Sequence, residues 1–297
     1  MFLLEGVIAS IVTPLRNGGS NVDPEGMRRY CDFIVEKGVH GIFAFGTTGE
    51  GPLLSISERK LMAETVVAGV SGRIPVIIQT GAITTENTIE LTKHCCDIKA
   101  DAAGVLLPFY YNLDDEAIFD HFKRIADAVP GFPLFLYNIP QCTGNNLSPE
   151  LFQKLVDQIE SIKGLKTSSA DFFEFQDYLM VAKDKCSVFV GCDELTLPAF
   201  SIGASGVVSG DASVFPEPFV DLYRSFKRGE LEKAIEYHFL SYRLAKLMTG
   251  GPSIASFKKA LELRGMNVGS VRRPNRELSA TEVAELMESL REMNLIE

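Results

Sequence analysis

Eight short apolar segments, each followed by an amphipathic stretch, constrain the fold of this chain more than any other feature. The segments are rich in β-branched residues and are typical of buried strands. They are Val7–Thr13, Gly41–Phe45, Pro75–Gln79, Ala103–Leu107, Pro133–Asn138, Ile162–Lys166, Ser187–Val190 and Gly206–Val208. The stretches that follow them predict helices near residues 24–37, 57–70, 85–99, 114–128, 148–159, 171–183, 193–202 and 216–228. Strands that alternate with helices pair in parallel, and eight such units fit an α/β fold of the TIM (β/α)8 barrel type.

The remainder of the chain predicts a helical extension rather than a second domain. Residues 229–297 contain three helical patterns, near 230–247, 254–263 and 281–293, and Gly250-Gly251-Pro252 separates the first two. No low-complexity linker and no second apolar core is visible. With 46% apolar content the chain can bury a large core, and α/β barrels reach ~200–250 residues as one domain. We therefore expect a barrel over residues 1–228 and a C-terminal three-helix extension of the same domain over 229–297.

Charge and composition exclude several classes of partner. The net charge is −10 and no basic stripe is present, so the sequence predicts no binding to nucleic acid. No run of 18 apolar residues occurs, and Met1–Gly6 lacks the features of a signal peptide, so we expect neither a membrane span nor secretion. Six cysteines without CxxC spacing and four scattered histidines form no metal-binding pattern. These thiols are typical of a cytoplasmic protein.

Lys166 and Tyr137 end neighbouring predicted strands, the sixth and the fifth. The active sites of (β/α)8 barrels are built from the carboxyl ends of the strands. A lysine in that position can form a Schiff base with a ketone, provided that apolar surroundings keep the amine neutral. A solvated lysine leaving a strand is the ordinary alternative. The tyrosine one βα unit earlier favours the Schiff-base site.

Other polar groups follow the second, fourth, seventh and eighth strands. The hydroxyls and N–H groups of Gly46-Thr47-Thr48-Gly49 can hold a carboxylate, although a helix-capping turn would explain the same residues. At least one ring of Phe109-Tyr110-Tyr111 should face a site or a subunit interface. Asp193-Glu194 suits either a ligand with hydroxyl groups or a helix N-terminus. Together with Ser209-Gly210-Asp211, this pair argues against a phosphate at the strands where barrels usually bind one.

Three motifs, in this order, resemble the dihydrodipicolinate synthase/N-acetylneuraminate lyase family over essentially the whole chain. They are Gly46-Thr47-Thr48-Gly49-Glu50, Tyr137-Asn138-Ile139-Pro140 and Gly164-Leu165-Lys166. The resemblance implies that Lys166 forms a Schiff base with pyruvate or another 2-keto acid, and that Tyr137 acts as general acid and base. It implies that the loop of Gly46, Thr47 and Thr48 holds the pyruvate carboxylate, with Thr47 also relaying protons.

The resemblance carries three further expectations. Tyr110, or the adjacent Tyr111, is similar to the tyrosine that reaches the neighbouring subunit's active site in many members. The implied chemistry is reversible aldol cleavage, a lyase reaction that requires neither a metal nor an organic cofactor. The implied assembly is a homotetramer, built as a dimer of dimers.

The branch of the family depends on a few residues. Cys142 stands where synthases of the family usually carry an arginine that binds the aldehyde's carboxylate, and a thiol cannot replace that bidentate cation. Ser168 and Asp193-Glu194 resemble the residues with which lyases and 2-keto-3-deoxygluconate aldolases bind hydroxyl groups. Gly191 and Ser209 complete the predicted substrate-binding set.

We therefore expect cleavage of a 2-keto-3-deoxy sugar acid, similar to N-acetylneuraminate or 2-keto-3-deoxygluconate, to pyruvate and an aldehyde. The alternative is 4-hydroxy-tetrahydrodipicolinate synthase, which condenses pyruvate with aspartate semialdehyde. The sequence leaves open the aldehyde partner, the stereochemistry, the physiological direction and allosteric regulation.

Two other classes of function fit the residues less well. A barrel retained as a ligand sensor would lose Lys166 or Tyr137, and both are present. A phosphosugar enzyme would carry a glycine-rich anion site after the seventh or eighth strand. Gly203-Ala204-Ser205-Gly206 instead precedes the eighth strand.

Overall fold

The computed structural model describes residues 4–183, 185–250 and 253–297. Eight parallel strands form a closed barrel in chain order, and the predicted TIM barrel is confirmed. The strands are β1 Gly6–Ile11, β2 Gly41–Ala44, β3 Val76–Gln79, β4 Ala102–Leu106, β5 Leu134–Asn138, β6 Ile162–Thr167, β7 Ser187–Val190 and β8 Gly206–Ser209. The predicted helix break at Gly251-Pro252 and the first three residues of the N-terminal segment lie outside the described residues.

Helices follow the strands and continue beyond β8 to the end of the chain. They are α1 Pro24–Glu36, α2 Ile56–Val70, α3 Thr85–Asp97, α4 Asp115–Ala128, α5 Pro140–Thr143, α6 Pro149–Gln158, α7 Phe172–Ala182, α8 Thr196–Ser201, α9 Pro216–Lys227, α10 Leu231–Thr249, α11 Ser253–Leu263 and α12 Ala280–Glu292. The last three match the predicted helical extension. No helix in these ranges combines the length and apolar content needed to cross a membrane.

Serine residues set the beginnings of several helices. Ser148 accepts a hydrogen bond from the Leu151 N–H at the start of α6, as its position before Pro149 predicts. The helix predicted near 57–70 begins slightly earlier, at Ile56, and its N-cap is Ser55. Ser55 has a glutamate three residues later, Glu58, which completes a capping box.

The predicted helix 193–202 is instead split into two parts. Asp193–Leu195 forms a 3-10 turn, and the α-helix α8 begins only at Thr196. Pro198 explains the split, because a proline ring clashes with the carbonyl four residues earlier in an α-helix. The unpredicted elements include helix α5 and an antiparallel pair, Leu15–Arg16 with Asn21–Val22.

One compact unit contains residues 4–6 and 75–208. Within it, β5 and β6 pair in register, with Tyr137 opposite Lys166. Further down the same strands, a Cβ on Gly164 would overlap the Phe135 ring, so that ring lies directly against the glycine. Phe135 also packs near Phe189, with ring centroids 6.1 Å apart. Aromatic side chains therefore fill the interior beneath the strand ends that carry Lys166 and Tyr137.

The other compact unit contains residues 7–74 and 209–297. Strands β1 and β2 pair in parallel, with Ser10 opposite Phe43. The C-terminal segment packs on this unit through charged contacts. The Arg272 guanidinium donates to both oxygens of Glu58 in α2, at 2.7 and 2.8 Å. Whether the extension belongs to the same folding domain as the barrel stays a prediction.

Candidate active site

Lys166 and Tyr137 form the centre of the polar cluster in the first unit. Both side chains are buried, at 5% and 2% exposure. The Lys166 Nζ lies 4.1 Å from the centroid of the Tyr137 ring, within the range of a cation–π contact. The register of β5 and β6 produces this contact, because opposite residues of paired strands project to the same face.

Gly191 and Ser168 surround the Lys166 side chain. The Gly191 N–H donates to the Thr167 carbonyl at 2.7 Å, which brings the end of β7 close to β6. A Cβ on Gly191 would overlap the Ser168 Oγ and would stand 3.2 Å from the Lys166 Cε. A side chain at position 191 would therefore enter the space of the lysine. These two predicted site residues lie together with Lys166.

The Ser168 carbonyl connects two further segments to this cluster. It accepts a hydrogen bond from the Gln141 Nε2 in α5 at 2.9 Å and one from the Cys192 Sγ at 3.4 Å. Burial, together with the charges of Glu194 and Asp193, raises the pKa of the Cys192 thiol to about 12. Cys192 is therefore a neutral thiol that donates a hydrogen bond.

Cys142 and the acidic pair lie at the edge of this unit. Cys142, in α5, is exposed, and partial desolvation raises the pKa of its thiol, so it carries no charge near neutral pH. Asp193 and Glu194 begin the 3-10 turn after β7, where Asp193 is partly buried and Glu194 is exposed. The acidic side chains do not cap α8, because that helix begins after the turn.

Tyr110 lies mostly in solvent. Its side chain is 80% exposed, and its ring makes an edge contact with Tyr111, whose exposure is 66%. The backbone of Tyr110 has a φ of +82°, and its N–H donates to the Thr143 carbonyl at 3.3 Å. Within one chain, the Tyr110 hydroxyl is thus not part of the buried cluster around Lys166. The choice between Tyr110 and Tyr111 stays open.

The loop after β2 dominates the second unit. Its glycines fold the chain back on itself: a Cβ on Gly49 would stand 2.8 Å from the Phe45 backbone, and one on Gly51 would overlap the Phe45 carbonyl. The Thr13 hydroxyl donates to the Gly49 carbonyl at 2.5 Å. This close packing leaves Thr47 exposed and Thr48 half-buried at the tip of the loop.

The base of the same loop is fixed by a buried ion pair. Glu50, which follows Gly49, is 2% exposed and adopts a left-handed conformation with φ +53°. Its carboxylate forms an ion pair with the Lys258 ammonium of α11 at 2.6 Å. It also accepts hydrogen bonds from the backbone N–H of Arg272 at 2.7 Å and from the Asn275 Nδ2 at 3.1 Å. Burial lowers the pKa of Lys258, while the Glu50 charge acts in the opposite direction.

Ser209 and Gly210 follow β8 in the second unit. The buried Ser209 Oγ accepts a hydrogen bond from the Ala212 N–H at 2.9 Å and so supports a 3-10 turn. A Cβ on Gly210 would stand 3.1 Å from the Thr48 hydroxyl oxygen. The turn after β8 therefore lies beside the loop after β2.

Sequence reasoning missed several of these contacts. Nothing in the sequence indicates that Gln141 and Cys192 both reach the Ser168 carbonyl. Lys258 was also missed, because a lysine within a helix is usually solvated. Among the residues that the structure describes, no three His, Cys, Asp or Glu side chains are grouped as metal ligands would be.

Comparison with known proteins identifies the family. The dihydrodipicolinate synthetase family profile matches residues 3–293. The chain belongs to this family. A 4-hydroxy-tetrahydrodipicolinate synthase of Methanopyrus kandleri is 35% identical over 295 residues, covering 99% of this chain and 98% of the relative. An uncharacterized DapA-like lyase of Halobacterium salinarum is 36% identical over 293 residues, covering 99% and 95%.

Solved structures of the dihydrodipicolinate synthetase family share the whole fold. Dihydrodipicolinate synthase from Aquifex aeolicus superposes with a TM-score of 0.93 at 32% identity, covering 98% of this chain and 99% of that structure. YagE, a prophage protein of E. coli K12 solved in complex with pyruvate, gives a TM-score of 0.94 at 28% identity, covering 99% and 100%. The chain is thus an enzyme of the lyase class that acts on carbon–carbon bonds, as the sequence predicts.

Proposed function

We propose that this enzyme is a class I aldolase that cleaves a 2-keto-3-deoxy sugar acid reversibly to pyruvate and an aldehyde, through a Schiff base on Lys166. The observation that carries the proposal is the buried pair of Lys166 and Tyr137 on adjacent strand ends. A buried amine beside a tyrosine is equipped for attack on a ketone and for the proton transfers that follow.

The proposed cleavage balances without an added cofactor. In its unprotonated form, the Lys166 Nζ attacks the keto carbon of the substrate. The hydroxyl of the resulting carbinolamine takes up a proton and leaves as water, which gives a protonated imine. A base removes the proton of the C4 hydroxyl, the C3–C4 bond breaks, and its electron pair forms the enamine of pyruvate while the aldehyde leaves. Protonation of the enamine at C3 and addition of water release pyruvate and restore the amine.

The remaining predicted residues take roles that match their chemistry. Tyr137 transfers the proton of the C4 hydroxyl, with Thr47 as the relay. Gly46, Thr47 and Thr48 hold the pyruvate carboxylate through backbone N–H groups and hydroxyls. The Tyr110 side chain reaches into the active site of a neighbouring subunit.

Contacts around Ser168 favour a sugar acid as the substrate. The Ser168 hydroxyl is buried against Gly191, and Asp193 and Glu194 follow two residues later. Hydroxyl and carboxylate oxygens are suitable partners for the hydroxyl groups of a sugar chain. Cys142 is neutral and so offers no charged partner for a second substrate carboxylate.

The alternative is 4-hydroxy-tetrahydrodipicolinate synthase. It is favoured by the names of relatives such as those of Methanopyrus kandleri and Methanococcus vannielii, at 35% and 34% identity. That degree of identity is compatible with a different aldehyde, because specificity depends on a few contacts.

A substrate panel separates these two functions. Release of pyruvate from N-acetylneuraminate, 2-keto-3-deoxygluconate and related acids is compared with condensation of pyruvate and aspartate semialdehyde. We expect the highest kcat/KM for a sugar acid, and Cys142→Arg should reduce it without affecting folding. If wild type condenses aspartate semialdehyde more efficiently than it cleaves every acid of the panel, the synthase function is correct.

We further propose that the enzyme acts in the cytoplasm as a homotetramer built from two dimers. All six cysteines are free thiols, which is typical of a reducing compartment. The assembly is supported by Tyr110 and Tyr111, two adjacent exposed aromatic residues of the kind that interfaces cover.

A further inference from the structure

Ser10 is a buried hydroxyl without a hydrogen-bond partner. It lies in β1 between Ala9 and Ile11 and is 1% exposed. Among the residues that the structure describes, none donates to or accepts from its Oγ. Leaving a buried hydroxyl unpaired costs about 1–3 kcal/mol. An alanine would occupy the same strand position without that cost, which indicates that the hydroxyl has a function.

The position of Ser10 points to the loop after β2. Ser10 is opposite Phe43 in the register of β1 and β2, and β2 ends at Ala44, two residues before Gly46. A Cβ on Gly46 would stand 2.9 Å from the Phe43 ring and 3.7 Å from the Ser10 Oγ. The hydroxyl therefore lies beside the first glycine of the loop that is proposed to hold the substrate carboxylate.

The acceptor for Ser10 should be an atom that stays in place during the reaction. The keto oxygen of the substrate leaves as water when the imine forms, so it cannot accept this hydrogen bond throughout the reaction. The carboxylate is unchanged, and a hydroxyl donating to an anion makes a stronger hydrogen bond than one between neutral groups. The loop beside Ser10 already offers this anion N–H groups and hydroxyls.

We propose that Ser10 is a substrate-binding residue whose hydroxyl donates a hydrogen bond to a carboxylate oxygen of the bound 2-keto acid. This inference rests on the proposed function. The unpaired hydroxyl destabilises the free enzyme and gains its partner only when the acid binds. Ser10 thus lowers the stability of the free enzyme and raises its affinity for the acid, which is typical of residues in functional sites.

Ser10→Ala tests the proposal through two measurements, because the variant should lose affinity for pyruvate without losing stability. The rate of borohydride trapping is followed at increasing pyruvate concentrations, and the melting temperature is measured without pyruvate. We expect the half-saturating pyruvate concentration to rise about tenfold or more, as for a lost hydrogen bond to a charged group. The final extent of trapping should be unchanged, and the melting temperature of the free enzyme should not fall.

Ser213→Ala is the matched control. Ser213 is also fully buried, and among the described residues its Oγ has no partner. It lies in the 3-10 turn Asp211–Ser213, where its carbonyl accepts from the Tyr30 hydroxyl. The control should shift stability in the same direction as Ser10→Ala and leave the half-saturating pyruvate concentration unchanged.

Two results would overturn the role of Ser10 alone. One is an unchanged half-saturating concentration in Ser10→Ala, and the other is a melting temperature clearly below that of Ser213→Ala, which would reveal a structural partner. If wild type itself forms no adduct with pyruvate, the proposed function fails and the role of Ser10 fails with it.

Discussion

At the scale of single residues, Gly191 shows how closely the chain surrounds Lys166. A Cβ at this position would overlap the Ser168 Oγ and press on the Lys166 Cε. For Gly191→Ala we expect Schiff-base formation with pyruvate to slow by about 10²-fold, because a displacement of about 1 Å can cost that much. Stopped-flow trapping with borohydride measures the rate.

Gly69→Ala is a suitable control for the glycine substitution. Gly69 lies in α2, and a Cβ there would stand no closer than 3.4 Å to its neighbours. This control should be stabilised by about 0.5–1 kcal/mol and should keep the wild-type trapping rate. A normal rate in Gly191→Ala would mean that the lysine does not need the space beside Gly191.

His121 gives a pH dependence that is independent of catalysis. It is 5% exposed, and burial lowers its pKa from 6.5 to about 4. Above pH 6.5 the ring is neutral in both the folded and unfolded states. As the pH falls from 6.5 toward 4, the unfolded state binds a proton that the folded state excludes, so stability is lost.

The loss of folding free energy attributable to His121 should reach about 3 kcal/mol as the pH falls from 6.5 to 4. Its Nδ1 hydrogen-bonds with the Thr85 hydroxyl at 2.9 Å, and Asn can place a polar atom near the same position. Urea unfolding of wild type and His121→Asn across this range of pH measures the effect. Equal pH slopes for the two proteins would show that His121 does not titrate as proposed.

At the scale of elements, the C-terminal extension reaches the loop after β2 through Glu50. The pair of Glu50 and Lys258 is almost fully buried, at 1% and 2% side-chain exposure. For Lys258→Met we expect a loss of about 3–5 kcal/mol in stability, because the variant leaves a buried carboxylate without its countercharge. Urea unfolding measures the loss.

The double variant Glu50→Gln/Lys258→Met separates charge from packing. With both charges removed it should lose less stability than the sum of the single variants. If the pair also positions the loop, the half-saturating pyruvate concentration should rise in each single variant. Additive losses in stability would show that the two charges do not interact.

The sequence predicts those elements whose signals are local. The eight strands follow from β-branched apolar segments, and the start of α6 follows from Ser148 before Pro149. Lys166 and Tyr137 could be placed on neighbouring strand ends for the same reason. In contrast, the ion pair of Glu50 with Lys258 joins segments that are far apart in the chain, and no local pattern indicates it.

Two other features were not predicted, for different reasons. The split of the helix after β7 is a local effect of Pro198 and could have been anticipated. The unpaired hydroxyl of Ser10 could not have been anticipated, because a buried serine hydroxyl is usually hydrogen-bonded. Only the surrounding side chains show that it has none among the described residues.

At the scale of the whole molecule, the exposure of Tyr110 makes a prediction about assembly. If its hydroxyl serves a neighbouring subunit, Tyr110→Phe and Lys166→Ala damage different sites of the same oligomer. Each variant alone should have low activity. A mixture that has been dissociated and reassembled should recover activity above either parent, because a subunit with intact Lys166 can receive Tyr110 from its partner.

The control for this mixing experiment is reassembly of each variant with itself. Self-reassembled protein should gain no activity, and light scattering should show the same oligomer as wild type. No recovery in the mixed oligomer would mean that each subunit builds its active site alone. In that case the exposed Tyr110 and Tyr111 rings would require another explanation.

The most direct test of the central claim is borohydride reduction of the enzyme in the presence of pyruvate, read by intact mass and peptide mapping. The expected result is a single reduced pyruvyl adduct on Lys166. The adduct should be absent from a folded Lys166→Ala variant. An adduct on another lysine, or none from folded wild type, would contradict Schiff-base catalysis at Lys166.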